Sequence, residues 1–179
     1  MQNGHTIVTM PSPTPPLTPL AAAVLGVGAP ESVLEVQCGE GEGALFLARE
    51  FPRARVRGVD RSAEAIRHAT ARVGLDPEGR VAFKVGTPRS LPFPDDHFDL
   101  VAGLGARPSV PEVARVLRPG GHLVLAWSDP GSAPRGLRAR LLRRRLSRHG
   151  FAQVRSDVAG DGSFLVGRLD TGERRPSSL

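Results

Sequence analysis

A carboxylate and three alternating glycines stand close together in Glu35-Val-Gln-Cys-Gly-Glu-Gly-Glu-Gly43, where an apolar run passes into an amphipathic segment. Glycine lets the backbone approach a ligand without a Cβ in the way, and the start of a helix offers unpaired N–H groups, so a strand–turn–helix of this composition suits a nucleotide-like ligand. Tight strand-to-helix turns need glycine for steric reasons as well, so the loop gains its weight from a second residue. Asp60 ends the next apolar run, roughly 20 residues on, where a carboxylate accepts hydrogen bonds from ribose hydroxyls in open α/β sheets. The spacing Gly39-x-Gly41-x-Gly43 is not the G-x-G-x-x-G of dinucleotide binders, which disfavours a nicotinamide dehydrogenase.

Ligands of open α/β sheets bind beyond the carboxyl ends of the strands, and this sorts the remaining polar residues by position. Gly103, Leu104, Gly105 and Arg107 follow the expected fourth strand, and Trp127, Ser128 and Asp129 follow the fifth. These should face the second substrate of any group held at the glycine turn. Trp127 reads equally well as an aromatic at the rim of the core, and Asp129 before Pro130 as a turn residue. His97 and His122 are expected to precede strands four and five, at the opposite end of the sheet, and read as turn or surface histidines, as do His68 and His149. Cys38 reads as a small buried thiol, not a nucleophile. No metal site is expected.

The elements that must position these residues alternate. Apolar runs at 32–37, 55–60, 81–85, 98–102 and 121–126 read as buried strands. Helical periodicity at 43–51, 62–73 and 110–117 separates most of them, with Ser62 a plausible N-cap. A short helix at 20–25 precedes the first strand. Strands alternating with helices imply a parallel sheet covered on both faces. After Trp127 the pattern changes to a basic helix at 135–148, stopped by Gly150, then two strands at 151–158 and 163–169 whose short Ala-Gly-Asp-Gly connection requires antiparallel pairing.

Composition sets the frame around this core. At 179 residues and 40% hydrophobic content the chain suits one domain, and residues 20–169 carry its pattern. Residues 1–19, with prolines at 11, 13, 15, 16 and 19, read as an extended flexible leader, and residues 170–179 as a polar tail. One cysteine excludes an internal disulfide and points to a reducing, cytoplasmic compartment. No apolar stretch approaches the length of a membrane span, so no membrane partner is expected. The net charge is +6, yet Arg135–His149 alone holds seven arginines and no acid, so basicity belongs to one segment and the rest is near neutral.

Four blocks, in their order and spacing, resemble the class I S-adenosylmethionine-dependent methyltransferases, especially the small-molecule branch. They are Val33-Leu-Glu-Val-Gln-Cys-Gly-Glu-Gly41, Gly58-Val-Asp-Arg-Ser62, Leu91-Pro-Phe-Pro-Asp-Asp-His-Phe-Asp-Leu-Val101 and Glu112-Val-Ala-Arg-Val-Leu-Arg-Pro-Gly-Gly121. The resemblance spans about Leu20 to Leu169 and implies an α/β fold with a Rossmann-like, doubly wound, seven-stranded sheet, mostly parallel with an antiparallel C-terminal strand pair. It implies S-adenosylmethionine as cofactor and a small-molecule acceptor. Glu35, Gly39 and Gly41 would line the methionine end, Asp60 would take the ribose hydroxyls, Arg61 would flank the adenine, Thr87 and Pro88 would sit at its edge, and Gly103 would complete the cofactor site. The chain departs from the family at Gln37, usually glycine, and at Thr87, usually acidic. Gln37 adds a side chain beside the cofactor's amino-acid portion, and Thr87 removes an acceptor worth about 1–2 kcal/mol.

Methyl transfer relies on positioning and needs a base only when the nucleophile arrives protonated, so the lack of an obvious catalytic residue does not oppose the reading. Two alternatives remain. A non-catalytic cofactor-binding or scaffold protein with the same fold is motivated by Gln37, Thr87, the short loop after strand four and the lack of an N-terminal helical cover. A nucleic-acid methyltransferase would use the basic helix 135–148 on phosphates. Leu142 and Leu146 suit packing of that helix on the sheet with arginines in water, and after strand four Ala-Gly-Leu-Gly-Ala-Arg-Pro lacks the Asn/Asp-Pro-Pro-aromatic signature of base methylation.

Overall fold

Strand β1 (Ser32–Val36) is apolar on both faces but for Glu35 because it lies inside a sheet, parallel to β2 (Arg55–Asp60) on one side and β4 (Phe98–Leu104) on the other. Val33 pairs with Val56 and Leu100, and from Val33 to Val36 the strand is buried throughout. The computed structural model describes residues 17–129 and 131–171, so the proposed leader up to residue 16 and the tail from 172 lie outside the described residues. The seven strands run in the order β3-β2-β1-β4-β5-β7-β6, completed by β3 (Val81–Val85), β5 (Leu117–Trp127), β6 (Phe151–Ala159) and β7 (Gly162–Leu169). Strands β1 to β5 pair in parallel, whereas β7 is antiparallel to both β5 and β6. This is the doubly wound, mostly parallel sheet with an antiparallel terminal pair expected from the sequence.

Helices cover both faces. On one, Leu20 and Ala23 of α1 (Thr18–Val24) and Ala44, Leu47 and Ala48 of α2 (Glu42–Glu50) pack on Val33, Val56, Leu100, Val124 and Phe164. On the other, Val110, Val113 and Val116 of α4 (Val110–Val116) and Leu146 of α5 (Gly136–Arg148) pack on Leu34, Val101, Leu123 and Leu165. Helix α3 (Ala63–Val73) packs along β3 and β2, capped by Ser62, whose hydroxyl accepts the N–H of Ala65 at 3.2 Å. The sequence periodicity locates these elements to within a few residues.

Three boundaries differ. Helix α1 starts at Thr18, with Pro19 in its first turn and buried, two residues before the expected start. Strand β4 continues through Gly103 and Leu104, which are therefore its last residues and not the loop beyond it. Strand β5 starts at Leu117, although Arg118-Pro-Gly-Gly121 reads as a turn. The register with β4 shifts between Phe98 and Leu100, so the Pro119–Gly120 corner becomes an irregularity within one long strand. His122 consequently lies inside β5, opposite Leu100 and Arg168, instead of preceding it.

No helix joins β3 to β4; residues 86–97 form a loop. Arg115 on α4 holds that loop in place. Its guanidinium pairs with both oxygens of Glu112 (2.8 and 2.9 Å) and donates to the carbonyls of Leu91 and Phe93 and to Asp95, while Glu112 Oε2 accepts the N–H of Leu91 at 2.7 Å. The bidentate geometry suits the planar guanidinium. The Arg115 guanidinium, helped by the Leu91 N–H, holds the Glu112 carboxyl below the usual range against the opposing effect of burial.

Candidate functional site

The chain leaves β1 in a left-handed turn. Gln37 has φ 55°, Gly39 51° and Gly41 81°, and Gly41 then caps α2 in the left-handed conformation. Asp60, at the end of β2, ties this turn to the next helix: its Oδ2 accepts the N–H of Gly39 at 3.0 Å and its Oδ1 the N–H of Ser62 at 2.9 Å. Each oxygen keeps a second lone pair, so the carboxylate can still receive two hydroxyls from a ligand.

Two cavities open at this carboxyl end of the sheet. The first, of about 490 Å3, is bordered by Gln37, Asp60, Arg61, Pro88 and Leu104 from the expected set. The second, of about 380 Å3, is bordered by Glu35, Gln37, Gly39, Leu104, Ser128 and Asp129. Gln37, Leu104 and Gly105 border both, so these are two halves of one cleft with Gln37 at its waist. The Gln37 side chain crosses from the end of β1 to the loop after β4, where its Oε1 accepts the N–H of Arg107 at 2.6 Å.

The halves differ in charge. Glu40, Glu42 and Asp129 border the second, which suits a cation, although Glu42 lies 3.8 Å from Arg72 and Glu40 3.3 Å from His68. Glu35 is the one charged residue buried among the described residues, at 2% exposure. It sits beneath the first turn of α2, where the N–H of Ala44 donates to Oε2 at 2.7 Å and Gly43 leaves it room. Burial pushes its carboxyl up to about 8, against the lowering effect of that hydrogen bond and with the help of the nearby charges of Glu42 and Asp60. Burial likewise pushes the Cys38 thiol up to about 12, as a structural thiol requires.

The other expected residues are placed elsewhere. Gly41 borders neither cavity; its missing Cβ admits the ring of Phe83. Gly103 is buried in β4 against Ala106. Thr87 and the side chain of Arg107 border a neighbouring cavity. Trp127 is 5% exposed, part of the core beneath α4 and α5, and borders a cavity between α5 and the β6–β7 pair; the strand alternation turns it away from the cleft. Sequence reasoning missed Ser62, Gly86 and Leu91 in the first cavity and Glu40, Glu42 and Ser132 in the second. Leu91 had a signal, an apolar residue following the third strand, but its place depends on the Arg115 clamp. His97 stacks on Phe93 at the opposite end of the sheet, beside a cavity of about 830 Å3 that shares no residue with the cleft. Among the described residues no group of three or more His, Cys, Asp or Glu side chains could hold a metal ion, and no helix is long and apolar enough to cross a membrane.

Comparison with known proteins gives this geometry a family. Residues 33–121, from β1 into β5, match the methyltransferase domain. The chain is 38% identical over 105 residues to a fatty-acid O-methyltransferase of Mycolicibacterium smegmatis, covering 55% of this chain and 37% of the relative. It is 33% identical over 139 residues to the 27-O-demethylrifamycin SV methyltransferase of Amycolatopsis mediterranei, covering 73% of this chain and 51% of the relative. The chain therefore spans about half or less of these relatives' length. In fold it is similar to a putative S-adenosylmethionine-dependent methyltransferase from Methanococcus maripaludis, with a TM-score of 0.73 at 14% identity over 89% of this chain and 88% of that one. With the matched segment supplying the glycine turn, Asp60 and the clamped loop on this sheet, the chain belongs to the class I S-adenosylmethionine-dependent methyltransferase family.

Proposed function

We propose that the protein binds S-adenosylmethionine in the two-part cleft and transfers its methyl group to a small-molecule acceptor. The observation that carries this reading is the division of the cleft by charge: Asp60 and Arg61 stand in one half, whereas Glu40, Glu42 and Asp129 border the other. The first half suits adenosine, with Asp60 accepting the ribose hydroxyls, Arg61 and Pro88 flanking the base and Leu91 beneath it. The second suits the methionine portion, whose ammonium and sulfonium charges match Glu40, Glu42 and Asp129, while the buried Glu35 holds the first turn of α2 beside it. When bound, the cofactor supplies an electrophilic methyl group, which the acceptor's lone pair takes as the carbon–sulfur bond breaks and leaves its electrons on sulfur.

The chain's own contribution is to hold and to orient. Asp60 fixes the glycine turn through the N–H of Gly39 and so sets the distance between the two halves. Ser128, Asp129 and Ser132 border the methionine half at the end of β5, where an acceptor would enter. The single cysteine supports a reducing, cytoplasmic setting. The two curated relatives act on a fatty acid and a rifamycin by their names, which supports a small organic acceptor for this chain.

Calorimetry with S-adenosylmethionine tests the reading. The wild type should bind, and Asp60→Ala should weaken binding by about tenfold or more, the worth of a charged acceptor to two hydroxyls. Equal affinity in the two proteins would remove Asp60 from the site. A second reading, a cofactor-binding protein that does not catalyse, is favoured by one observation, the Gln37–Arg107 hydrogen bond across the waist of the cleft. Binding without methyl transfer to fatty acids or other small acceptors, unchanged by opening the waist, would favour it.

A further inference from the structure

A third cavity, of about 900 Å3, adjoins the cleft and shares Arg61 and Pro88 with its adenosine half. Four arginines border it, each from a different part of the chain: Arg61 after β2, Arg89 in the β3–β4 loop, Arg107 in the β4–α4 loop and Arg145 on α5, with His149 beside them. No Asp or Glu borders it. Among the described residues no side-chain hydrogen bond or ion pair engages any of these four guanidinium groups. Four other arginines are ion-paired: Arg115 with Glu112 and Asp95, Arg118 with Asp99, Arg72 with Glu42 and Arg80 with Glu78.

We infer that this cavity binds the phosphoryl group of a small molecule. Like charges facing one space repel, and that repulsion is relieved by a multiply charged oxyanion, to which guanidinium forks donate in pairs. A single carboxylate engages one or two such forks; four match a ligand carrying two or more negative charges. The volume exceeds a bare phosphate and falls in the range of organic ligands, and Pro108, Val110 and Pro111 give it an apolar side for an organic body. A nucleic-acid backbone would instead need a continuous basic strip. Of the seven arginines of α5 and its approach, only Arg145 borders this cavity; Arg135 borders another beside β6, and Arg143 donates to the Val154 carbonyl and to Ser156. That the phosphorylated ligand is also the methyl acceptor rests on the function proposed above; the oxyanion site does not.

The test is calorimetry with inorganic pyrophosphate on the full chain and on Arg89→Ala/Arg145→Ala, two residues that border neither half of the cofactor cleft. Circular dichroism checks that the variant is folded, and S-adenosylmethionine affinity is measured in parallel. The wild type should bind pyrophosphate, and the variant should bind about tenfold more weakly or worse while keeping its S-adenosylmethionine affinity. Acetate should bind neither protein. No pyrophosphate binding by the wild type, or equal binding by both proteins, overturns the inference. So does a single-stranded oligonucleotide that binds more tightly than pyrophosphate and is lost in the same variant, because the site would then serve a nucleic-acid backbone. Failure of S-adenosylmethionine binding with pyrophosphate binding intact would remove the proposed function and leave the oxyanion site standing.

Discussion

Gln37 holds a left-handed backbone at φ 55°, a conformation that costs an L-residue other than glycine about 1–2 kcal/mol. Its amide oxygen recovers a comparable amount by accepting the Arg107 N–H. Gln37→Gly should therefore leave the melting temperature almost unchanged, because glycine fits this turn. The same substitution removes the side chain from the waist of the cleft, where relief of crowding is worth about 1–3 kcal/mol, so S-adenosylmethionine should bind about tenfold more tightly by calorimetry. Weaker binding would show that the amide contacts the ligand. Glu35 gives a pH signature. Its carboxyl ionises near 4.5 when unfolded and is raised to about 8 in the fold, so the folded chain keeps a proton that the unfolded chain releases. The stability it provides is complete below about pH 4.5 and is lost as pH rises through 8, at about 1 kcal/mol per unit in between. Urea denaturation between pH 5 and 8 should show this decline, and Glu35→Gln, which keeps the shape and cannot ionise, should flatten it.

At the level of elements, the loop between β3 and β4 has no helix of its own and depends on α4. Arg115 binds two of its carbonyls and Asp95, and its partner Glu112 binds a third backbone group. Arg115→Ala should cost about 2–3 kcal/mol in urea denaturation, since several charge-assisted hydrogen bonds are lost and Glu112 is left without its cation. It should also weaken S-adenosylmethionine binding, because Leu91 borders the adenosine half. A stability loss with unchanged affinity would mean that the loop keeps its place without the clamp. Two of the motif blocks, Leu91–Val101 and Glu112–Gly121, are thus one structural unit whose halves bond to each other.

Across the whole molecule, α1 seals the core on the β5–β7 side, with Leu20 and Ala23 fully buried and Val24 nearly so. A chain beginning at Gly26 should lose about 4 kcal/mol of stability by thermal or urea denaturation, the worth of burying those side chains. The succession of strands and helices and most boundaries were legible in the sequence because the apolar periods are clean, the seven-stranded sheet was legible only through the family resemblance, and Asp60 was legible from its distance to the glycine turn. The left-handed backbone at Gln37 was not, because a glutamine conceals a conformation that glycine would have announced. Thr87, Gly103 and Trp127 were placed by chain position, but which face each residue presents depends on strand alternation and on where β4 and β5 end. The four arginines of the third cavity come from separate segments between residues 61 and 145, and nothing in their spacing announces that the fold sets them around one space.

The bond from Gln37 to Arg107 joins the waist of the cleft to a residue of the basic cavity, so ligands held in the two places would be thermodynamically linked. A cofactor that displaces the Gln37 amide would free the backbone N–H of Arg107, a residue that borders the basic cavity. The factor by which the cofactor alters pyrophosphate affinity must then equal the factor by which pyrophosphate alters cofactor affinity. Titrating each ligand in the presence and absence of the other should give one shared factor different from unity, and in Gln37→Gly, where the bond is absent, that factor should move toward one, leaving only what passes through the shared Arg61 and Pro88.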